Sequence, residues 1–238
     1  MLTPRLKDDN WALHQIAERQ ESPGSLIKGT MPRDAYIDML GQQWLINTAL
    51  DAAMTKAIES DSRVRELVLG EQFLTPYIAE DLTYFGVETA SLEPSPGTTR
   101  YIEHINEHAD NPLHLLGLHY VRLGACNGNR FVARSTRKAY ELDETNGTRY
   151  LDPFGEAQRG NWMDFKQALD AMPFDQAEQD AVFGGTRVAY LYAINQNLPE
   201  FMSAEALLEK HGKTLDKKAF DEGHSVHVKM PENEAHSG

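Results

Sequence analysis

The sequence predicts an all-α protein: a single domain of about seven or eight helices. Apolar residues recur at spacings of three, four and seven, as in Ile37, Leu40 and Trp44, while long alternating patterns typical of strands are missing. Thr30 and Pro32 mark the start of that helix. The other predicted breaks, rich in Pro, Gly, Asn and Asp, fall at 93–97, 110–112, 144–147 and 152–161.

No Pro-, Ser- or Gly-rich linker divides these helices, so we expect one helical domain over residues 1–210. Residues 211–238 are polar and poor in apolar side chains, and we expect a flexible tail there. The tail histidines lack a regular metal-ligand spacing, which favours an ordinary polar tail over a metal site. They are His211, His224, His227 and His236.

Composition narrows the function classes. The chain has 238 residues, of which 41% are hydrophobic, and a formal net charge of −13. Nucleic-acid binding is disfavoured, because a phosphate-binding protein needs a basic face. No apolar run is long enough for membrane insertion, and no secretory signal is recognisable, so we expect a cytoplasmic protein. Cys126 is the single cysteine, which excludes an internal disulfide and a zinc site built on cysteines.

The first predicted helix carries a histidine and a carboxylate on one face. His14 and Glu18 are four residues apart and therefore lie one above the other on a helix. Apolar residues flank them, so His14 fits either a buried core histidine or a metal ligand, and Glu18 fits either a solvated neighbour or its partner. The pair alone does not decide between these readings.

The segment LGACNGNRF, residues 123–131, interrupts an otherwise strong helical pattern. Each glycine in a helix interior costs about 1 kcal/mol relative to alanine. Gly124 and Gly128 lie on one face, where bare backbone permits either close packing of another helix or close approach of a ligand.

The order of these segments resembles the heme oxygenase family over about residues 5–202. LKDDNWALHQIAE is similar to the family's proximal helix, and LLGLHYVRLGACNG is similar to its distal helix in the bacterial pattern. Several further segments follow in the family's order. They are IKGTMPRDAYIDMLGQQWLINTALDAAM, AEDLTYFG, YIEHINEH, GEAQRGNWMDFKQAL and TRVAYLYAINQNLPEF.

The resemblance implies a site that binds heme as both cofactor and substrate. His14 matches the axial ligand of the heme iron, and Glu18 would orient its ring. Burying the two heme propionates requires cations or hydrogen-bond donors, and Lys7, Lys166 and Tyr120 match such positions.

On the oxygen side, the resemblance implies a bent distal helix whose glycines, Gly124 and Gly128, let the backbone approach the heme. Many family members have an aspartate directly after the first glycine, where it anchors a water network for proton delivery, but this chain has Ala125. Asn129 replaces the second glycine of the family's usual Gly-Gly pair. We therefore expect Asn127, Asn129 or Arg122 to hold the required waters.

The implied reaction opens heme to biliverdin and releases CO and ferrous iron, using O2 and electrons from a ferredoxin, a flavodoxin or a flavoprotein reductase. A basic stripe on this acidic protein is a candidate docking surface for an acidic electron donor, or else only a solvated face. Its members are Arg130, Arg134, Arg137 and Lys138.

Two rival functions stay open at this stage. Ala125 and Asn129 motivate a heme-binding carrier or sensor without turnover. A nonheme di-iron oxidase on the same fold is the third hypothesis, and it is disfavoured because the last helix, TRVAYLYAINQNLPEF, offers no ligands. The candidate di-iron ligands are Glu103, His104, Glu107, His108, His114 and His119.

Overall fold

A computed structural model of the protein describes residues 1–222, and every regular element within that range is helical. The all-α prediction is therefore confirmed, but the predicted number of helices is wrong, because the described residues contain twelve α-helices. They are α1 Leu2–Asp8, α2 Trp11–Glu18, α3 Glu21–Ile27, α4 Arg33–Ser60, α5 Ser62–Leu67, α6 Thr75–Tyr84, α7 Pro96–Glu107, α8 Pro112–Tyr140, α9 Gln158–Ala171, α10 Gln176–Asn195, α11 Ala204–His211 and α12 Lys217–Asp221.

The extra helices arise partly because the predicted first helix is divided. The chain leaves helical geometry between Asp8 and Trp11, where α1 ends and α2 begins. Asn10 Nδ2 donates a hydrogen bond to the Leu6 carbonyl at 3.0 Å, a local bond that competes with continuation of the helix. Lys7 and His14 therefore belong to two short helices and do not share one helical face.

Helices α8 and α10 form the centre of the fold, and two glycines let them approach closely. A Cβ on Gly117 would lie 2.1 Å from the Val182 carbonyl oxygen, and one on Gly185 would lie 2.0 Å from the His114 carbonyl oxygen. Because both clashes would be with backbone, glycine is required at this crossing. Helix α8 itself continues through LGACNGNRF without a break.

Three hydrophobic clusters surround this pair of helices. The largest joins α1, α4, α5, α7 and α9 to α8 and α10. The second joins α3, α4 and α6 to the C-terminal half of α8. The third packs α2 against α10 and α11 through Leu13, Ile16 and Tyr190. Helix α2 is thus held on the same central helix, α10, that supports α8.

Helix α12 lies beyond the domain end predicted at residue 210. Gln15 Nε2 donates to the Asp216 carbonyl at 2.7 Å, and the Asp216 amide donates back to Gln15 Oε1 at 3.0 Å. Phe220 is buried against α2, so the folded region extends at least to α12. Of the predicted tail, 223–238 lie outside the described residues, including His224, His227 and His236.

None of the helices in 1–222 combines the length and the hydrophobicity required to cross a bilayer.

Candidate functional site

The structure brings His14 and Glu18 together on α2. His14 Nε2 lies 3.3 Å from Glu18 Oε1, and both side chains are about one-third exposed, at 34% and 33%. His14 Nδ1 is buried and has no hydrogen-bond partner. One imidazole nitrogen is thus paired with a carboxylate while the other has no protein partner, as expected of a histidine that ligates a metal.

Two aromatic rings contact the His14 imidazole. Tyr190 on α10 stacks on it with a centroid distance of 5.2 Å, and Phe220 on α12 meets it edge-on at 5.4 Å. Burial raises the pKa of the Tyr190 hydroxyl, and electrostatic repulsion from Tyr120 and Glu18 raises it further, so the hydroxyl stays protonated. Lys7, although on a different helix, also reaches this place, because its Nζ lies 5.2 Å from the centre of the Phe220 ring.

We define the glycine face of α8 by Tyr120, Gly124, Gly128 and Phe131, and its end at Gly128 and Phe131 is uncovered. A Cβ on Gly128 would meet nothing within 4 Å, and one on Gly124 would meet only the Trp162 ring at 3.4 Å. Phe131 is 58% exposed although it is a large apolar residue. The close helix packing considered for the two glycines occurs instead at Gly117 and Gly185.

Helix α9 closes one end of the glycine face. Trp162 contacts Tyr120 at a centroid distance of 5.0 Å, and Lys166 Nζ lies 5.4 Å from the centre of the Trp162 ring. Burial raises the pKa of the Tyr120 hydroxyl, with Asp170 and Asp8 adding to the shift, so this group is a neutral hydrogen-bond donor. Tyr120, Gly124 and Lys166 are therefore neighbours, linked by a tryptophan that the sequence analysis had assigned no role.

Arg122 points away from the glycine face. At 100° per residue it lies about 200° from Gly124 around α8, and its guanidinium forms an ion pair with Asp51 of α4. Its Nη2 also lies 2.7 Å from Nδ1 of His119, whose Nε2 is 3.0 Å from Gln72 Oε1. Asn129 lies on the Arg122 side of the helix and is half-buried, whereas the exposed Asn127 borders the glycine face.

The four residues of the basic stripe line one side of an open groove of about 820 Å³. Arg130 is paired with Glu156, and Arg137 donates to Thr148 Oγ1 at 2.8 Å while lying 3.5 Å from Asp152. The groove is also lined by Arg149 and by four acidic residues, so its charge is mixed. The acidic members are Glu141, Glu144, Asp152 and Glu156.

The candidate di-iron ligands do not form a carboxylate-bridged centre. His104, His108 and His114 converge, with one ring nitrogen from each within 4.8 Å of the others. Glu103 and Glu107 are exposed and are not in this group, and His119 is buried in the Arg122 network. Because di-iron sites draw carboxylates from several facing helices, the arrangement argues against a di-iron oxidase.

Four aromatic residues at the site were missed by the sequence analysis: Tyr190, Phe220, Trp162 and Phe131. The sequence pattern could have identified Phe131, because it follows Gly128 by three residues and therefore falls on the same helix face. The other three come from helices distant in sequence, and their contacts depend on packing that no local pattern reports.

Comparison with known proteins identifies the family of this chain. The family model for heme oxygenase matches residues 1–198, and the chain therefore belongs to the heme oxygenase family. It is 24% identical over 205 residues to heme oxygenase 2 of Synechocystis sp., covering 83% of this chain and 81% of the relative. It is also 24% identical over 194 residues to a heme oxygenase of Rhodella violacea, covering 79% and 82% respectively.

Solved structures show the same fold. The crystal structure of heme oxygenase-2 from Synechocystis sp. in complex with heme and NO aligns with a TM-score of 0.76 at 21% identity, covering 92% of this chain and 90% of the other. The heme oxygenase of Leptospira interrogans aligns with a TM-score of 0.74 at 21% identity, covering 82% and 97%. The resemblance recognised from the sequence is confirmed.

Proposed function

We propose that this protein is a heme-degrading oxygenase that opens heme to biliverdin, with release of CO and ferrous iron. The observation that carries the proposal is the His14–Glu18 pair, in a chain that belongs to the heme oxygenase family. Heme supplies the redox chemistry when it is bound, with O2 and electrons from outside. The protein would supply a ligand for the heme iron, a shaped pocket and a route for protons.

His14 would hold the iron, and Glu18 would fix the orientation and raise the basicity of the ring. Lys7 and Lys166 would hold the propionates with the Tyr120 hydroxyl. Both ammonium groups lie over aromatic rings, and among the described residues neither has an ion pair with a carboxylate. They are therefore available to an anionic ligand.

The glycine face of α8 would form the oxygen-side wall. Its exposed Phe131 and bare glycines form an apolar surface suited to a flat macrocycle. Asn127 borders this face and is the best placed of the predicted groups to hold proton-delivering waters. Arg122 and Asn129 lie on the other side of the helix, where we propose that Arg122 fixes the position of α8 against α4 through Asp51.

The test is a single-turnover assay of purified protein mixed with heme and a reductase in air. Conversion is expected to replace the Soret band with biliverdin absorption and to release iron that a ferrous chelator detects. In His14→Ala, heme affinity and turnover should both fall sharply. A Soret band that persists in the wild type under reducing conditions would contradict the proposal and favour the carrier or sensor hypothesis, which Ala125 still motivates.

We further propose that the basic groove docks an acidic electron donor such as a ferredoxin or flavodoxin. Arg134 and Lys138 are exposed and, within residues 1–222, take part in no ion pair, so their charge is available to a partner. Reversing both, Arg134→Glu with Lys138→Glu, should slow reduction by an acidic donor and weaken its salt dependence. Reduction by dithionite should be unaffected and serves as the control. An unchanged rate with the protein donor would remove the groove from the docking surface.

Reaction with such a donor agrees with the cytoplasmic location predicted from the sequence.

A further inference from the structure

Three histidines converge where α7 ends and α8 begins. His104 and His108 are one turn apart at the end of α7, and His114 lies in the first turn of α8. His104 Nε2 is 2.9 Å from His114 Nε2, and the His108 ring stacks within 4.1 Å of the first and 4.4 Å of the second, measured between centroids. The cluster plays no part in the proposed heme chemistry.

The chain holds these rings in place from both sides. Asn111 caps α8 by accepting a hydrogen bond from the His114 amide at 3.1 Å, which fixes the turn between the two helices. His108 Nδ1 lies 2.9 Å from the His104 carbonyl oxygen, to which it can only donate. In the neutral form of His108 this leaves the lone pair on Nε2, as in metal-ligating histidines whose other nitrogen is bonded to a carbonyl.

Two of the three rings, His104 and His114, are also neutral at physiological pH. Burial lowers the pKa of His104 to about 4, and the neighbouring His108 adds to the shift. Burial likewise lowers the pKa of His114 to about 4, with His108 and His104 adding to it. Neutral imidazole is the form that binds metal ions. Neither of these two rings has to lose a net proton, but the Nε2 proton in their hydrogen bond has to move to Nδ1 of the same ring before both Nε2 atoms can bind a metal.

We propose that His104, His108 and His114 form a binding site for one divalent transition-metal ion of the zinc class, separate from the heme site. Imidazole nitrogens are the ligands that Zn²⁺, Cu²⁺ and Ni²⁺ favour. Metal–nitrogen bonds of about 2.0–2.1 Å in tetrahedral geometry place ligand nitrogens about 3.3 Å apart. The two Nε2 atoms 2.9 Å apart thus need to separate by only a few tenths of an ångström. The nitrogen of His108, which lies within 4.8 Å of the other two, must approach by at most about 1.5 Å.

Three protein ligands leave a fourth position for water or another small ligand. On the described part of the chain the group contains no carboxylate, so the site would keep the full charge of the ion and would attract an anionic fourth ligand. Glu103 and Glu107 are exposed near the same end of α7, where they would favour the approach of a cation.

The experiment uses the full chain, purified without heme and stripped of metal with a chelator. Calorimetric titration with Zn²⁺ should show one tight equivalent, and Co²⁺ should give the visible absorption of a four-coordinate site. Zinc should also raise the unfolding temperature, since a ligand that binds the folded state stabilises it. The variant His104→Gln with His108→Gln should lower Zn²⁺ affinity at least about a hundredfold. Loss of a residue that only hydrogen-bonds to a metal ligand already costs up to about a hundredfold in affinity, and this variant removes two ligands.

Two controls keep this result interpretable. Replacing the tail histidines together, His224→Gln, His227→Gln and His236→Gln, should leave the tight equivalent in place. Heme titration of every variant reports folding, because it monitors His14 and is independent of the metal site. The proposal is overturned if the His104/His108 variant retains the wild-type stoichiometry and affinity, or if the tail variant loses them. If the double variant does not fold, the single change His108→Gln at the half-buried helix end applies the same test.

Discussion

Gly128→Ala separates what the fold needs from what the site needs. In the described structure a Cβ at this position would meet nothing within 4 Å, so the substitution adds no clash. Alanine is favoured over glycine in a helix interior by about 1 kcal/mol. The heme-free variant should therefore be more stable by about that amount, which raises the unfolding temperature by about 2–4 °C for a chain of this size.

Turnover should move in the opposite direction. The added methyl group would project from the glycine face toward the space where we place the heme, and we expect single-turnover heme conversion to slow about tenfold, or about 1.4 kcal/mol in the barrier. Urea unfolding of the heme-free protein and the biliverdin assay measure the two effects.

The matched control is Gly160→Ala on α9, where a Cβ would also meet nothing within 4 Å. Gly160 lies about 200° around α9 from Trp162 and so faces away from the proposed pocket. This variant should retain wild-type turnover. The reasoning is refuted if Gly128→Ala is stabilised as expected but converts heme at the wild-type rate, because Gly128 would then not face the substrate.

Three further changes address the crossing, the axial ligand and the contact of α12. Gly117→Ala should destabilise the protein by about 3 kcal/mol in urea unfolding, which is the upper end of the range for overpacking. Its Cβ would lie 2.1 Å from the Val182 carbonyl oxygen, and a backbone atom cannot move aside as the end of a flexible side chain can. Glu18→Gln should weaken heme affinity about 10–100-fold, with retention of a histidine-ligated heme spectrum, since Glu18 only orients His14; an unchanged affinity would remove it from this role. Phe220→Ala should accelerate heme association several-fold in stopped-flow mixing, because its ring contacts His14 at 5.4 Å; a slower association would show that Phe220 instead shapes the pocket.

Local patterns were enough to predict the all-α fold and the contact between His14 and Glu18. The i, i+4 spacing of His14 and Glu18 is a property of any α-helix, and it yielded the observed 3.3 Å contact. The division between α1 and α2 was missed because it depends on a single asparagine that bonds backward to Leu6, in a segment whose apolar spacing continues across the break.

The second half of the site depends on contacts between distant helices. Tyr190 and Phe220 come from the other end of the chain, and only packing through α10 and α12 brings them to His14. The role considered for Arg122 required knowing which face of α8 is buried. Its pairing with Asp51 answers that question, but a helical pattern alone gives the relative angles of residues and not the direction in which any of them points.

The two pairs of glycines on α8 and α10 are therefore glycine for different physical reasons: one pair allows helix packing, and the other leaves a helix surface bare. Gly117 and Gly185 are required by the backbone contact of α8 with α10, and any fold with this crossing would need them. Gly124 and Gly128 meet at most one side chain at ordinary contact distance, so the heme-free protein would be more stable by about 2 kcal/mol with alanine at both positions. A cost of that size without a packing reason indicates that the bare surface serves a ligand, and the exposed Phe131 on the same face is consistent with a flat apolar one. Since Ala125 brings no proton-conducting group to this surface, we propose that Asn127, at its border, holds the waters that deliver protons to the substrate.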